Sequence, residues 1–303
     1  MAEWPRVREF ASCALSEGSA QPMKIHDAVY LAKQKLHIPN DFRLRDSIAT
    51  MRTRPLSPSV VIDTTDMDHA AMPLVAQLAV NATDGRPFVK WWHYFEAYEE
   101  NLGAIAERSR KGELDQPLRI LEMGVWRGGS LDLWRKYFGP EAIIFGIDID
   151  EVITTLGIDS AEVRVGSQTD QAFLMGVLEE MGGVDVVIDD GSHLSKDVIA
   201  SLTILFPHLA EGGKYIIEDL HTSYWPSWGG GLRRRDSSIE ALKGLIDGLH
   251  QPYYARSGVR HDLGIERDQL HSILFYDSVA VLNKRASAPP QPFRGGDHDR
   301  LTR

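Results

Sequence analysis

The sequence predicts an α/β domain built on a mostly parallel seven-stranded sheet, preceded by a mainly helical N-terminal region. Three observations predict it. From Leu118 onward, short apolar runs alternate with stretches of helical periodicity, the pattern of strands and helices wound about a parallel sheet. The apolar runs are continuous rather than alternating, as strands buried on both faces require. The last two runs are separated by only Asp277-Ser278, which predicts a hairpin and therefore an antiparallel strand closing the sheet.

Residues 1–87 form the N-terminal region. Amphipathic stretches at Asp27–His37 and Asp66–Val80 are broken by Pro39, Pro55 and Pro58, with one short extended piece at Ser59–Asp63. The main domain spans residues 88–285. Tyr94, Tyr98, Leu102, Ile105 and Ala106 fall at helical spacing and predict a helix over Tyr94–Arg110. The predicted strands are Leu118–Leu121, Ala142–Ile147, Glu162–Val165, Val184–Ile188, Lys214–Ile217, Leu270–Tyr276 and Val279–Asn283. Helices are predicted over 129–138, 170–181, 194–209 and Ser238–Leu249, and 150–160 holds a turn or a stub of helix. Residues 286–303, rich in Pro, Gly, Arg and Asp, are expected to be a disordered tail.

Composition narrows the function. The chain has 303 residues, 43% hydrophobic and 25% charged, an ordinary balance for a domain with a sizeable core. Its formal net charge is -10. Such a surface repels phosphate backbones, so a nucleic acid partner is not expected. The one compact basic run, Arg233-Arg234-Arg235, reads as a solvated face. No apolar stretch reaches the length of a membrane span, and the N-terminus lacks a secretory pattern. A single cysteine, Cys13, forbids an internal disulfide and fits a reducing, cytoplasmic setting.

A glycine-rich turn, Glu122-x-Gly124-x-x-x-Gly128-Gly129-Ser130, follows the first predicted strand and opens a helix. Its glycines let backbone approach a ligand, and the helix start offers free amide donors. The spacing lacks the Gly-x-Gly-x-x-Gly turn that seats a pyrophosphate. The expected ligand is therefore a nucleoside cofactor without one. Asp148 ends the second strand, 26 residues after Glu122, where an acidic side chain holds ribose hydroxyls in related folds. Ser167 and Gln168, at the end of the third strand, are placed to flank an adenine.

The fourth strand ends in Asp189-Asp190-Gly191-Ser192-His193 and the fifth in Glu218-Asp219-Leu220-His221. Adjacent parallel strands bring four carboxylates and two imidazoles to one edge. Such a set repels itself unless a positive charge sits among it. A hard divalent cation with oxygen ligands fits, Mg²⁺ first, with Mn²⁺ or Ca²⁺ also admissible. Zinc fits less well without cysteine ligands. A cation lowers the pKa of a bound hydroxyl, and His193, with His221 second, is the candidate to take its proton. Tyr224 and Trp225, beside Gly229-Gly230-Gly231, suggest an aromatic lid over a ring-shaped substrate. Lys90-Trp91-Trp92-His93-Tyr94 either walls the cofactor pocket or simply packs.

Val187-Ile188-Asp189-Asp190-Gly191-Ser192-His193, Leu205-Phe206-Pro207-His208-Leu209, Tyr215-Ile216-Ile217-Glu218-Asp219-Leu220 and Thr222-Ser223-Tyr224-Trp225-Pro226 together resemble the metal-dependent sugar O-methyltransferases of macrolide antibiotic biosynthesis. The resemblance covers about 88–284. It implies a Rossmann-like class I fold and S-adenosylmethionine (SAM) as cofactor. It also implies Asp190, Glu218 and Asp219 as Mg²⁺ ligands, His193 as general base, and Glu122, Asp148 and Asp189 among the cofactor residues. A glycosylated small-molecule acceptor and a homo-oligomer follow from it too. The residues alone leave open another acceptor, such as a phenol or a diol, a cephalosporin-hydroxylase-like relative, or a SAM-binding protein without activity.

Overall fold

The computed structural model describes residues 67–82, 85–250 and 269–286, with scattered positions outside those spans. The stretches Asp27–His37 and Ser59–Asp63, Cys13 and most of the tail lie outside the described residues.

Seven strands, β1 (Arg119–Met123), β2 (Ile143–Asp148), β3 (Glu162–Val165), β4 (Val184–Asp189), β5 (Leu209–Ile217), β6 (Leu270–Tyr276) and β7 (Val279–Lys284), form one sheet. Their order is β3-β2-β1-β4-β5-β7-β6. β1 to β5 run parallel, and β7 lies antiparallel between β5 and β6. The seven-stranded expectation with its antiparallel last strand is met. β1 and β4 are neighbours although two strands separate them in sequence, so the winding reverses between them. Open α/β sheets bind ligands at that reversal, beyond the strand C-termini.

Among the described residues six helices cover the two faces: α1 (Leu74–Val80), α2 (Tyr94–Arg110), α3 (Gly129–Phe138), α4 (Gln171–Met181), α5 (Ser195–Leu205) and α6 (Ser238–Leu249). The core accordingly splits in two. Tyr98, Leu102, Trp134, Ile120, Val186, Ile188 and Ile216 pack on the side of α1 to α3. Leu121, Leu174, Val187, Leu202, Leu242 and Ile217 pack on the side of α4 to α6. Along each central strand the two memberships alternate, as the pleat demands.

Three elements differ from the sequence expectation. The stretch Asp66–Val80 is divided: a 3₁₀ turn at His69–Ala71 is followed by α1, with Pro73 capping it. Proline lacks the amide that would carry a helix through. α5 stops at Leu205 and a 3₁₀ turn, Phe206–His208, follows, because Pro207 cannot continue it. β5 starts at Leu209, five residues early, since Val184 pairs with Leu209 and Val186 already with Lys214. Gly212 and Gly213 thus sit in a strand bulge rather than in a loop.

The glycines of the turn also serve close backbone contacts. A Cβ on Gly129 would lie 2.3 Å from the Arg86 carbonyl oxygen and 2.6 Å from that of Pro87. The segment entering α2 therefore crosses directly over the start of α3. Alanine at a helix start normally gains up to about 1 kcal/mol over glycine. Here the overlap is with backbone, and overpacking costs about 1–3 kcal/mol. Gly129→Ala is expected to lower the thermal midpoint by several degrees in scanning calorimetry; a raised midpoint would mean that the crossing is not there.

Candidate active site

The strand tips build the site. Alternation places Glu122, Asp190 and Glu218 on the α2 side of the sheet, following Ile120, Ile188 and Ile216. Asp189 falls on the opposite side. Its carboxylate accepts from Ser201 Oγ at 2.6 Å, Tyr215 OH at 3.0 Å and Gln168 Nε2 at 3.2 Å. Of the neighbouring Asp189-Asp190 pair, one member is thus tied to β5 and α5, and the other faces the crevice.

Three groups converge there. Asp190, His193 and Asp219 each offer a ligand atom, all within 4.8 Å of one another. His193 Nε2 lies 3.6 Å from Asp219 Oδ2 and 3.9 Å from Asp190 Oδ1. Both His193 (φ 56°) and Asp219 (φ 53°) adopt the left-handed backbone that L-residues rarely hold. Strain of this kind persists where the surroundings fix it, and it clusters at functional sites. Part of that fixing is visible. Asp219 Oδ1 accepts from Tyr94 OH at 2.6 Å, and the Asp219 amide donates back to the same hydroxyl at 3.2 Å. Thr222 Oγ1 donates to the His193 carbonyl at 3.1 Å, tying the β4 and β5 loops together.

A cation already stands behind these groups. Lys90 Nζ donates to Asp190 Oδ2 at 2.7 Å and to the Glu218 oxygens at 2.8 and 2.9 Å, and it lies 3.5 Å from Glu122 Oε1. Burial pulls its pKa down, but Asp190, Glu218 and Glu122 outweigh burial and leave it well above the usual lysine value. Burial pushes the Glu218 carboxyl up, as does the charge of Asp190. Glu122 is raised for the same two reasons, burial first. Tyr98 OH donates to Glu218 Oε1 at 2.6 Å. Tyr94 and Tyr98, four apart on α2, thus both point their hydroxyls at the β5 tip. Sequence reasoning missed Lys90 and both tyrosines. The signal present was the Lys90–Tyr94 run, read as a pocket wall or as packing, and the Tyr94/Tyr98 spacing, read as one face of a helix.

The cofactor candidates line the neighbouring end of the crevice. Glu122 is fully buried; Oε2 accepts from Ser130 Oγ at 2.7 Å, while Oε1 has no hydrogen-bond partner. Gly124 (φ 91°) passes so close to β4 that a Cβ would meet the Asp190 carbonyl at 2.1 Å. Gly128 caps α3 in the left-handed region. Asp148 accepts from the Val125 and Trp126 amides, both at 3.0 Å, and so holds the turn itself. Trp126 and Ile149 stand exposed beside that turn. Gln168 Oε1 accepts from the Ser192 amide at 2.7 Å, and the Ser167 hydroxyl stays with Thr169.

His221, Trp225 and Trp91 form an aromatic wall, with ring centroids 4.8 Å apart for His221–Trp225 and 5.8 Å for His221–Trp91. Burial lowers the His221 pKa, so it is neutral at pH 7. Its Nδ1 meets Ser278 Oγ at 2.5 Å. Tyr224 is exposed. Of the triple glycine, Gly230 is closely packed: a Cβ on it would lie 2.3 Å from the Ser223 carbonyl. Arg234 pairs with Asp236 at 2.7 Å, in keeping with a solvated basic run.

The strand order, the glycine turn after β1 and the acidic tips of β4 and β5 define the class I SAM-dependent methyltransferase fold. Within it, the chain is similar to sugar O-methyltransferases of antibiotic pathways. L-olivosyl-oleandolide 3-O-methyltransferase of Streptomyces antibioticus is 39% identical over 176 residues, 53% of this chain and 43% of that protein. A tetracenomycin-C rhamnosyl 3'-O-methyltransferase of Streptomyces olivaceus is 37% identical over 67% of this chain and 53% of its own length. A solved structure of MycE, the methyltransferase of the mycinamycin pathway in complex with Mg and SAH, superposes with a TM-score of 0.60 at 29% identity, over 76% of this chain and 59% of that one. The chain spans about half the length of the curated relatives it matches. No protein-family model matches it. Among the described residues no helix is long and apolar enough to cross a membrane.

Asp189 supplies a test that needs no ligand. Burial lifts its pKa to about 6, above the ~3.9 of an unfolded aspartate. The stability it contributes is therefore full below about pH 4 and is lost as pH rises through 6. Two units correspond to about 3 kcal/mol. Urea titrations at pH 4 and pH 7 are expected to show Asp189→Asn gaining on the parent at the higher pH. An equal difference at both would contradict the buried, raised carboxyl.

Proposed function

We propose that the chain is a SAM-dependent, divalent-cation-assisted O-methyltransferase acting on a hydroxyl of a glycosylated natural product. One observation carries the reading: Asp190, His193 and Asp219 offer ligand atoms within 4.8 Å of one another in the crevice beside the glycine turn. The two carboxylates suit a hard cation such as Mg²⁺, and the imidazole beside them is left free to take a proton. The relatives support the acceptor class, and the MycE complexes with Mg and SAH support the two small-molecule requirements. A homo-oligomer and a cytoplasmic setting belong to the same proposal.

The chain's own residues divide the work. Asp190 and Asp219 would hold the cation. Glu218, the third carboxylate, would join only by sharing the oxygens that Lys90 engages. Oε1 of Glu122, which accepts no hydrogen bond and lies 3.5 Å from the Lys90 ammonium, suits a donor group of SAM, and the exposed Trp126 and Ile149 beside the turn suit its apolar parts. A bound cation lowers the pKa of a coordinated hydroxyl, and SAM carries an electrophilic methyl group. His193 Nε2, with its side chain 21% exposed, accepts the acceptor's proton. Tyr94 fixes Asp219 and, through Thr222, the β5 loop fixes His193. The aromatic wall of Trp91, His221 and Trp225 covers one side of a sugar ring, with Tyr224 at its rim.

Loss of a positioned base typically costs 10²–10⁴-fold in rate. His193→Ala is expected to lose turnover by about that factor while calorimetry with S-adenosylhomocysteine reads an affinity near the parent's. Loss of cofactor binding instead would remove the base role. In the parent, a chelator should abolish transfer to a glycosylated macrolide acceptor and Mg²⁺ should restore it; activity untouched by the chelator would remove the cation.

A further inference from the structure

Lys90 touches the tips of three strands at once. Its ammonium meets Asp190 at the end of β4, both oxygens of Glu218 at the end of β5, and lies 3.5 Å from Glu122 of β1, with a side chain only 1% exposed. An ammonium has three donors; the Asp190 oxygen and the two Glu218 oxygens occupy them, and Glu122 is met by charge alone. Asp190 is the shared member. Its Oδ2 faces Lys90 at 2.7 Å, and its Oδ1 faces His193 at 3.9 Å. The set that suits a divalent cation begins where the set held by Lys90 ends.

We propose that Lys90 is a tethered internal cation that partitions the acidic cluster. It engages Glu218 and limits how tightly an exchangeable divalent cation is held at Asp190 and Asp219. The inference rests on the cation reading above and adds to it a positioning residue that sets the affinity. The physical grounds are simple. A buried positive charge against a ligand carboxylate repels a second cation, more strongly than at a wet surface. The same charge keeps four acidic groups from forcing the strand tips apart while the exchangeable cation is away. Lysine does this as a point charge on a flexible stem, unlike a dissociable ion. Tyr94 and Tyr98 complete the division, each giving its hydroxyl to one of the two β5 carboxylates.

The test is calorimetric titration of MgCl₂ into the full-length parent, Lys90→Met and Lys90→Arg, with thermal unfolding of each in the presence and absence of Mg²⁺. Lys90→Met is expected to bind Mg²⁺ about tenfold more tightly or better, the scale of removing one nearby, partly buried charge. Lys90→Arg keeps the charge and should stay within about threefold of the parent. Lys90→Met should melt lower than the parent without cation and regain more of its midpoint with Mg²⁺. A purely structural lysine would lower the midpoint without moving the affinity. A folded Lys90→Met with unchanged or weaker Mg²⁺ binding overturns the inference. If Lys90→Met does not fold, Lys90→Gln is titrated in the same way, and failure of both to fold even in saturating Mg²⁺ overturns it too. Absence of binding by the parent and by the neutral variants alike sinks the cation reading instead.

Discussion

Four carboxylates brought to three neighbouring strand tips, two of them buried, can sit together only if positive charge is built in among them. Two like charges about 4 Å apart at an effective dielectric of 20 repel by about 4 kcal/mol, a large share of the stability of a typical domain. The protein answers with a buried ammonium inside the cluster and two tyrosine hydroxyls at its edge. The fold at this edge depends on that arrangement. Without it, the acidic ends of β4 and β5 would repel each other beside the crevice between β1 and β4.

The period-2 pleat decides which acids take part. Residues 122, 190 and 218 emerge toward α2, where Lys90, Tyr94 and Tyr98 wait. Asp189 emerges the other way, among Ser201, Tyr215 and Gln168. Two adjacent aspartates thus have different duties. One fastens β4 to β5 and α5, and the other faces the crevice. The left-handed backbone at His193 and Asp219 turns each loop back over the strand end and carries both side chains to the same spot.

Much of this was legible in the sequence because it rests on local pattern. Continuous apolar runs gave the strands, the Asp277-Ser278 hairpin gave the antiparallel closure, and the acidic strand ends gave the cluster. What was not legible depends on contacts between distant segments. Lys90 lies 100 residues from Asp190 and 128 from Glu218, and no local spacing ties them. A lysine beside two tryptophans reads equally well as a wall. The early start of β5 was hidden by Gly212-Gly213, which looks the same as a turn and as a bulge. The glycines after β1 were read as room for a ligand, yet Gly124 and Gly129 answer to close backbone crossings. The argument that positive charge must sit among the acids is met in part by Lys90, a residue to which the sequence reading gave no such role.

The central claim is that the remaining acidic groups, Asp190 and Asp219 with His193 beside them, form a cation site separate from the pocket filled by Lys90. Anomalous diffraction from crystals soaked in MnCl₂ and S-adenosylhomocysteine tests it most directly. The account predicts one strong manganese peak bridging the Asp190 and Asp219 carboxylates, next to the cofactor and with the Lys90 ammonium still in contact with Glu218. A peak elsewhere on the surface, or none in the crevice at saturating manganese, would contradict it.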